Sequence, residues 1–292
     1  MQERGEIFFF YRPKVNKEEA HSPEEVQRLY IVLRPESGER SIVQKQSPDS
    51  GKEGAKAGSS DVKSTEGGHG VQEVNIEKEP LLRFIVMGKK SLPVPHKKST
   101  PHWGFVEMVT TKIEDVETAL SGEEYDTSTR GHRHRYPARA VGEGIYRIVK
   151  HKSGRSEHTH LICKLEFPPN DKDNEPQELL NIEPEGSFLI QIKRPDQHGG
   201  SQFSGIQSKR KAMFPAHLQG RFGNRRYCSA DPADFLNYKG CEFLLISASD
   251  DVEKEFGLEL KTECKADPSC SDLDKMFGET VVTAPLFEGT WS

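Results

Sequence analysis

Alternation of apolar and polar positions recurs along this chain and predicts strands far more often than helices. The clearest case is Gly142 to Phe167, GEGIYRIVKHKSGRSEHTHLICKLEF, where Ile145, Arg147 and Val149 alternate with Tyr146, Ile148 and Lys150. A polar Lys152–Glu157 turn containing Gly154 follows, then a second run from Leu161 to Phe167, so the stretch reads as a β-hairpin. Gly5 to Val15 (GEIFFFYRPKV), Arg28 to Arg34, Leu81 to Met87, Trp103 to Val109, Phe188 to Lys193 and Phe243 to Ser247 read as further strands. Helical signals are short. Ser22-Pro23-Glu24-Glu25 combines a capping serine, a proline at the first helical position and a glutamate able to close a capping box. Ile113, Val116 and Leu120 fall on one face of an acidic helix. Asp231-Pro232-Ala-Asp234 is another helix start, with Gly240 as its terminator.

The strands recur in order. Gly142-Glu143 stands 137 residues after Gly5-Glu6, and His158 stands 137 after His21. Phe188-Leu-Ile-Gln-Ile-Lys193 echoes Phe84-Ile-Val-Met-Gly-Lys89 at 104 residues, and Phe243-Leu-Leu-Ile-Ser247 echoes Phe105-Val-Glu-Met-Val109 at 138. Asp251-Val252-Glu253 echoes Asp115-Val116-Glu117 at 136. The predicted fold is therefore α+β and β-rich, two tandem related modules of antiparallel strands plus a helix each, with disordered insertions. The first module spans 1–120, with 44–75 as a disordered insertion poor in apolar residues. A basic linker, 121–141, reads as loop. The second module spans 142–262 with an insertion at 196–238, in which Gly199–Lys211 is Gly/Ser/Lys-rich and Phe214–Phe222 looks ordered. Residues 263–292 read as a mostly flexible tail whose apolar segment, 281–291, docks on the body.

Composition narrows the function classes. Apolar residues make up 33% of the 292, unevenly spread, as expected for a real core interrupted by disorder. A net charge of −5 argues against a generic polyanion binder such as a nucleic-acid protein. No apolar run approaches the roughly 18–20 residues of a membrane helix. The opening MQERGEIFFFYRP moves straight into a strand pattern and offers no signal peptide. Five cysteines (163, 228, 241, 264 and 270) have no metal-site or disulfide spacing, which points to a reduced, cytoplasmic setting.

At Gly142–Phe167, with Pro184-Glu-Gly-Ser-Phe-Leu-Ile190 and Asp231-Pro-Ala-Asp-Phe-Leu236, the sequence resembles an uncharacterised family of plants and bacteria. Its plant members are labelled "BTB/POZ domain protein TNFAIP protein". The resemblance covers most of the chain outside the insertion and tail. It implies protein–protein interaction and no established activity, so it assigns no functional residue.

Candidate chemistry is sparse. His158 and His160, two apart on a strand, share a face, and with Glu166 or His151 they have the donor types of a divalent-metal site. The plainer reading, structural or surface histidines, is preferred because a fourth ligand is missing. Arg221-Phe-Gly-Asn-Arg225-Arg226 sets three guanidinium groups around Gly223, a loop able to clamp a phosphate or carboxylate, against the plainer reading of a solvated loop anchored by Phe222. Lys209-Arg-Lys211 and Arg130–Arg135 read as solvated basic patches, with a nuclear address at Lys209–Lys211 as the minority reading. No nucleophile has a partner base, so no catalytic residue, metal ligand or cofactor is assigned. The expected function is binding, either of a protein partner or of an anionic small molecule between the modules through His158, His160, Arg221, Arg225 and Arg226. A metal-dependent role for His158 and His160 is the alternative, and the oligomeric state is left open.

Overall fold

The computed structural model describes residues 2–38, 40–47, 70–94, 100–153, 156–169, 174–195, 211–249, 260 and 267–291. Eight of its strands close into an antiparallel barrel. Around the barrel they run β1 (Glu3–Pro13), β2 (Val26–Pro35), β5 (Leu82–Met87), β6 (His102–Thr110), β13 (Glu242–Ser249), β11 (Glu185–Lys193), β10 (Ser156–Phe167) and β9 (Arg139–Ser153), and β9 returns to β1. Each half of the chain thus supplies four consecutive strands joined as a meander. The halves meet at two seams, β1 against β9 and β6 against β13.

The Phe8-Phe9-Phe10 run lacks alternation because β1 is buried on both faces. Ile7, Phe9 and Tyr11 belong to the main core, which takes side chains from all eight barrel strands, including Leu29, Ile85, Val106, Ile148, Cys163, Ile190 and Leu245. Phe8 and Phe10 join a second, outer core with α1 (Ile113–Leu120) and the C-terminal helices α4 (Asp272–Phe277) and α5 (Ala284–Glu288). Val116 and Leu120 of α1 are buried there, as their spacing predicts. Arg12, 1% exposed, secures the C-terminal end of α1 by donating to the carbonyls of Ala119, Leu120 and Ser121 at 2.8–3.1 Å, where a cation also meets the negative end of the helix dipole.

Close strand crossings require glycine at two points. A Cβ on Gly5 would lie 2.1 Å from the Arg34 carbonyl oxygen, and one on Gly144 would lie 2.1 Å from that of Lys164. At the Glu3 end of the barrel the interior holds a buried polar network. Arg83 grips Glu3 through two hydrogen bonds of 2.5 and 2.8 Å and donates to Asn237 at 2.7 Å, while the Tyr146 hydroxyl donates to Glu3 at 2.7 Å. The segment 212–241 closes this end with Phe214, Phe222, Phe235 and Tyr238 packed edge to face. At the Tyr11 end, Trp291 packs edge-on at 5.4 Å and accepts the Tyr11 hydroxyl on its carbonyl.

Several segments are more ordered than their composition suggests. Residues 121–139, expected as loop, form the hairpin β7 (Glu123–Thr127) and β8 (Gly131–Arg135). It is held by polar pairs such as Arg135–Glu123 at 2.9 Å and His134–Glu124 at 3.3 Å, which an apolar pattern cannot register. The ends of the 44–75 insertion are strands, β3 (Ile42–Gln46) and β4 (Val71–Asn75), joined by one buried pair, Val43 and Val74. Its middle, 48–69, lies outside the described residues, as do 196–210 and the helix expected at Asp251. The tail docks from Ser271, not from 281: Leu273 and Phe277 of α4 are fully buried, and the Phe277 ring stands edge-on to Phe8 and Phe10. Ser22 makes no side-chain cap, and its helix is a single 3-10 turn, Pro23–Glu25, that runs directly into β2. No described helix is long and apolar enough to cross a membrane.

Candidate functional site

A fork in the sheet creates the most chemically suggestive cleft. β10 pairs with β9 from Ser156 to Phe167, but with β11 only between His160↔Leu189 and Lys164↔Glu185. Beyond Leu189, β11 runs on to Lys193 and takes a new neighbour, β12 (Tyr227–Ser229), through Gln191↔Ser229 and Lys193↔Tyr227. The Ser229 hydroxyl donates to the Glu157 carbonyl at 3.3 Å and ties β12 back to the start of β10. A cleft of about 620 Å³ opens at the fork, with Lys150, His158, Thr159, Arg221, Arg225 and Asp231 among its lining residues.

The arginines reach it from the turn after α3 (Ala216–Gln219). Phe222 is 1% exposed and stacks on Phe214, so it pins the turn from below while Arg221 and Arg225 stay exposed. Gly223, at φ +51°, supplies the backbone conformation that closes the turn. Arg225 donates to the Arg221 carbonyl at 3.2 Å, and among the described residues neither guanidinium has a carboxylate partner. Arg226, grouped with them in the sequence, is half-buried and does not line the cleft; its carbonyl accepts from the Arg194 backbone.

Lys150 is already engaged, bonding Glu157 at 2.7 Å and Asp231 at 3.0 Å. Those bonds hold the Lys150 ammonium above its ordinary range, and the Glu157 carboxyl, bonded to Lys150 and Lys152, below its own. Thr159, one residue beyond the last β10–β11 pair, is 1% exposed, and its hydroxyl oxygen has no hydrogen-bond partner among the described residues. Cys228 is 5% exposed. Burial pushes its thiol up to about 12, although Arg225 and Arg221 pull the other way, so it is a thiol and not a thiolate at neutral pH.

The histidine pair separates in role. His158 lies at the cleft, and His151 faces it across the hairpin. His160 is 3% exposed, with Nδ1 3.1 Å from the Ser187 hydroxyl, and burial, reinforced by His151 and His158, lowers it to about 4. Glu166 lines a different, acidic cleft with Glu6, Glu143 and Asp272. Among the described residues no three His, Cys, Asp or Glu side chains converge as a metal ion would require. Comparison with protein-family models, curated proteins and solved structures finds no match.

Three of the five residues singled out by sequence, His158, Arg221 and Arg225, therefore share one cleft. His160 and Arg226 stand outside its lining. Lys150, Thr159, Gln191 and Asp231 also line it and carry no binding signal in the sequence, because each becomes part of a site only through the fold.

Proposed function

We propose that this chain is a binding protein whose ligand is a small anion seated in the cleft at the β10–β11 fork. One observation carries the reading: two guanidinium groups without carboxylate partners among the described residues, and a buried hydroxyl without a partner among them, line the same cleft. An unsatisfied buried hydroxyl costs roughly 1–3 kcal/mol, and a bound oxyanion would remove that cost. Arginine forks suit such a guest because they donate in pairs to its oxygens. Binding is favoured over catalysis because Cys228 is held protonated and, among the described residues, no group accepts a hydrogen bond from the Thr159 hydroxyl.

We further propose that the two halves of the barrel are copies of one module. Support comes from the shared meander order and from Gly5 and Gly144, each on the first strand of its half where a Cβ would lie 2.1 Å from a carbonyl oxygen of the second strand. That pairing sets Gly5 against Gly144, two residues from the Gly142 suggested by sequence.

The test of the binding reading is titration calorimetry of the full chain with inorganic phosphate. Wild type should bind, and the double variant Arg221→Ala, Arg225→Ala should weaken binding by at least about tenfold, equivalent to ~1.4 kcal/mol. Equal affinity of the two proteins would refute the site.

A further inference from the structure

The fork cleft is not a uniformly cationic cradle, and its acceptors narrow the ligand. Resting on the anion-binding reading above, we infer that the ligand is a phosphomonoester carried on a small hydroxyl-bearing body, such as a sugar phosphate, and not a bare anion. Arg221, Arg225 and the Thr159 hydroxyl are donors; Glu157, Asp231 and the Gln191 amide oxygen are acceptors, and all six line the same cleft.

A bare oxyanion would meet two carboxylates there as repulsive neighbours. Both, however, are neutralised in place. Lys150 sits between them, at 2.7 Å from Glu157 and 3.0 Å from Asp231, while Lys152 bonds the other Glu157 oxygen at 3.1 Å. Gln2 donates to the remaining Asp231 oxygen at 2.8 Å. Each oxygen of the Glu157 and Asp231 carboxylates has one donor and retains a second lone pair able to accept from a ligand hydroxyl. Their charge is matched while their acceptor capacity is not used up. That combination selects neutral donors, the hydroxyls of a polyol.

The donor side selects phosphate over carboxylate. A phosphomonoester carries about −1.5 to −2 charges and three strong acceptor oxygens at neutral pH, enough for two guanidinium forks and one hydroxyl together. A carboxylate has two oxygens and one charge, and would leave one of these donors unmatched. Tyr227, half-buried on β12, adds an aromatic surface for the non-polar face of a small ring.

Calorimetric titration of the full chain with ribose 5-phosphate, inorganic phosphate, acetate and ribose tests the inference. Ribose 5-phosphate should bind at least about tenfold more tightly than inorganic phosphate, with acetate and ribose weaker than both. Gln191→Ala and, separately, Asp231→Asn should erase the advantage of the sugar phosphate, so that each variant binds ribose 5-phosphate no more tightly than it binds inorganic phosphate. Because Asp231 also holds Lys150, the Gln191 variant decides the matter if the Asp231 variant is unstable. Equal affinities for phosphate and ribose 5-phosphate would overturn the ligand class and leave the anion site standing. Failure of every phosphate compound to bind would overturn both. A phosphoserine peptide binding as tightly as ribose 5-phosphate would also overturn it, by pointing to a protein partner.

Discussion

Burial acts in opposite senses on His160 and Glu6, and so gives the protein two opposing pH dependences in one window. His160 titrates at about 4 in the fold against roughly 6.5 when unfolded. Its contribution is fully present above the unfolded value and is lost as pH falls from about 6.5 to 4, reaching roughly 2–3 kcal/mol. Glu6 is raised to about 7, first by desolvation and further by Asp272, against the pull of Arg34. Its contribution is full below about 4.5 and declines as pH rises toward 7. Urea unfolding between pH 4 and 7.5 should show His160→Gln flattening the acid-side loss and Glu6→Gln flattening the loss toward neutrality. Unchanged slopes in either variant would refute that assignment. At this scale the sequence is informative about chemistry but not about partners. His158, Arg221 and Arg225 are legible because their side chains are unusual where they stand. Thr159 and Lys150 are not, because their roles arise where the β10–β11 register ends at His160↔Leu189.

Elements built on local periodicity are legible, and elements held by remote groups are not. The helix at Ile113–Leu120 follows from its 113/116/120 spacing, and the β9–β10 hairpin from alternation on both sides of a Gly-containing turn. The C-terminal helix α4 is different. Ser271 accepts from the Asp274 backbone as a local cap, but its first turn is completed by Glu143, a strand residue 128 positions upstream of Ser271. The Glu143 carboxylate accepts from the Ser271 hydroxyl at 2.5 Å and from the Asp272 and Leu273 backbone at 2.8 and 3.2 Å. A carboxylate there also faces the positive end of the helix dipole. Burial, at 4% exposure, raises Glu143 above the ordinary carboxylate range even so. Glu143→Ala should therefore loosen the whole 268–291 segment. The expected cost is about 2–3 kcal/mol, from three lost hydrogen bonds and stranded donors. Hydrogen exchange should rise in α4 and α5 before it rises in β1 or β9. Uniform exchange across the barrel would mean that Glu143 supports the strands and not the clasp.

The barrel as a whole is closed by pairing between the two halves of the chain. The β1–β9 seam aligns residues from Glu3↔Ile148 to Tyr11↔Arg139, and the β6–β13 seam aligns Phe105↔Glu242 through His102↔Leu245. Arg139 and Ala140 add contacts to the tail, through the Arg139↔Val282 bridge and the Ala140 backbone bond to Val282. By contrast, the covalent link between the halves passes through the turn between β7 and β8, whose residues 128–130 are exposed. Chain continuity at that turn lowers the entropy of assembly but supplies none of the seam contacts. A protease site placed between Ser128 and Thr129 should therefore be cut without dismantling the fold. The two fragments should co-elute in gel filtration and separate only in denaturant. The cut protein should melt several degrees lower, in a concentration-dependent way, because unfolding now releases two chains. Phosphate binding should survive the cut, since every lining residue of the fork cleft belongs to the second fragment. Separation of the fragments in native buffer would show that the seams cannot hold the halves together, and loss of phosphate binding with the fragments still joined would show that the cleft depends on strain transmitted from the first half.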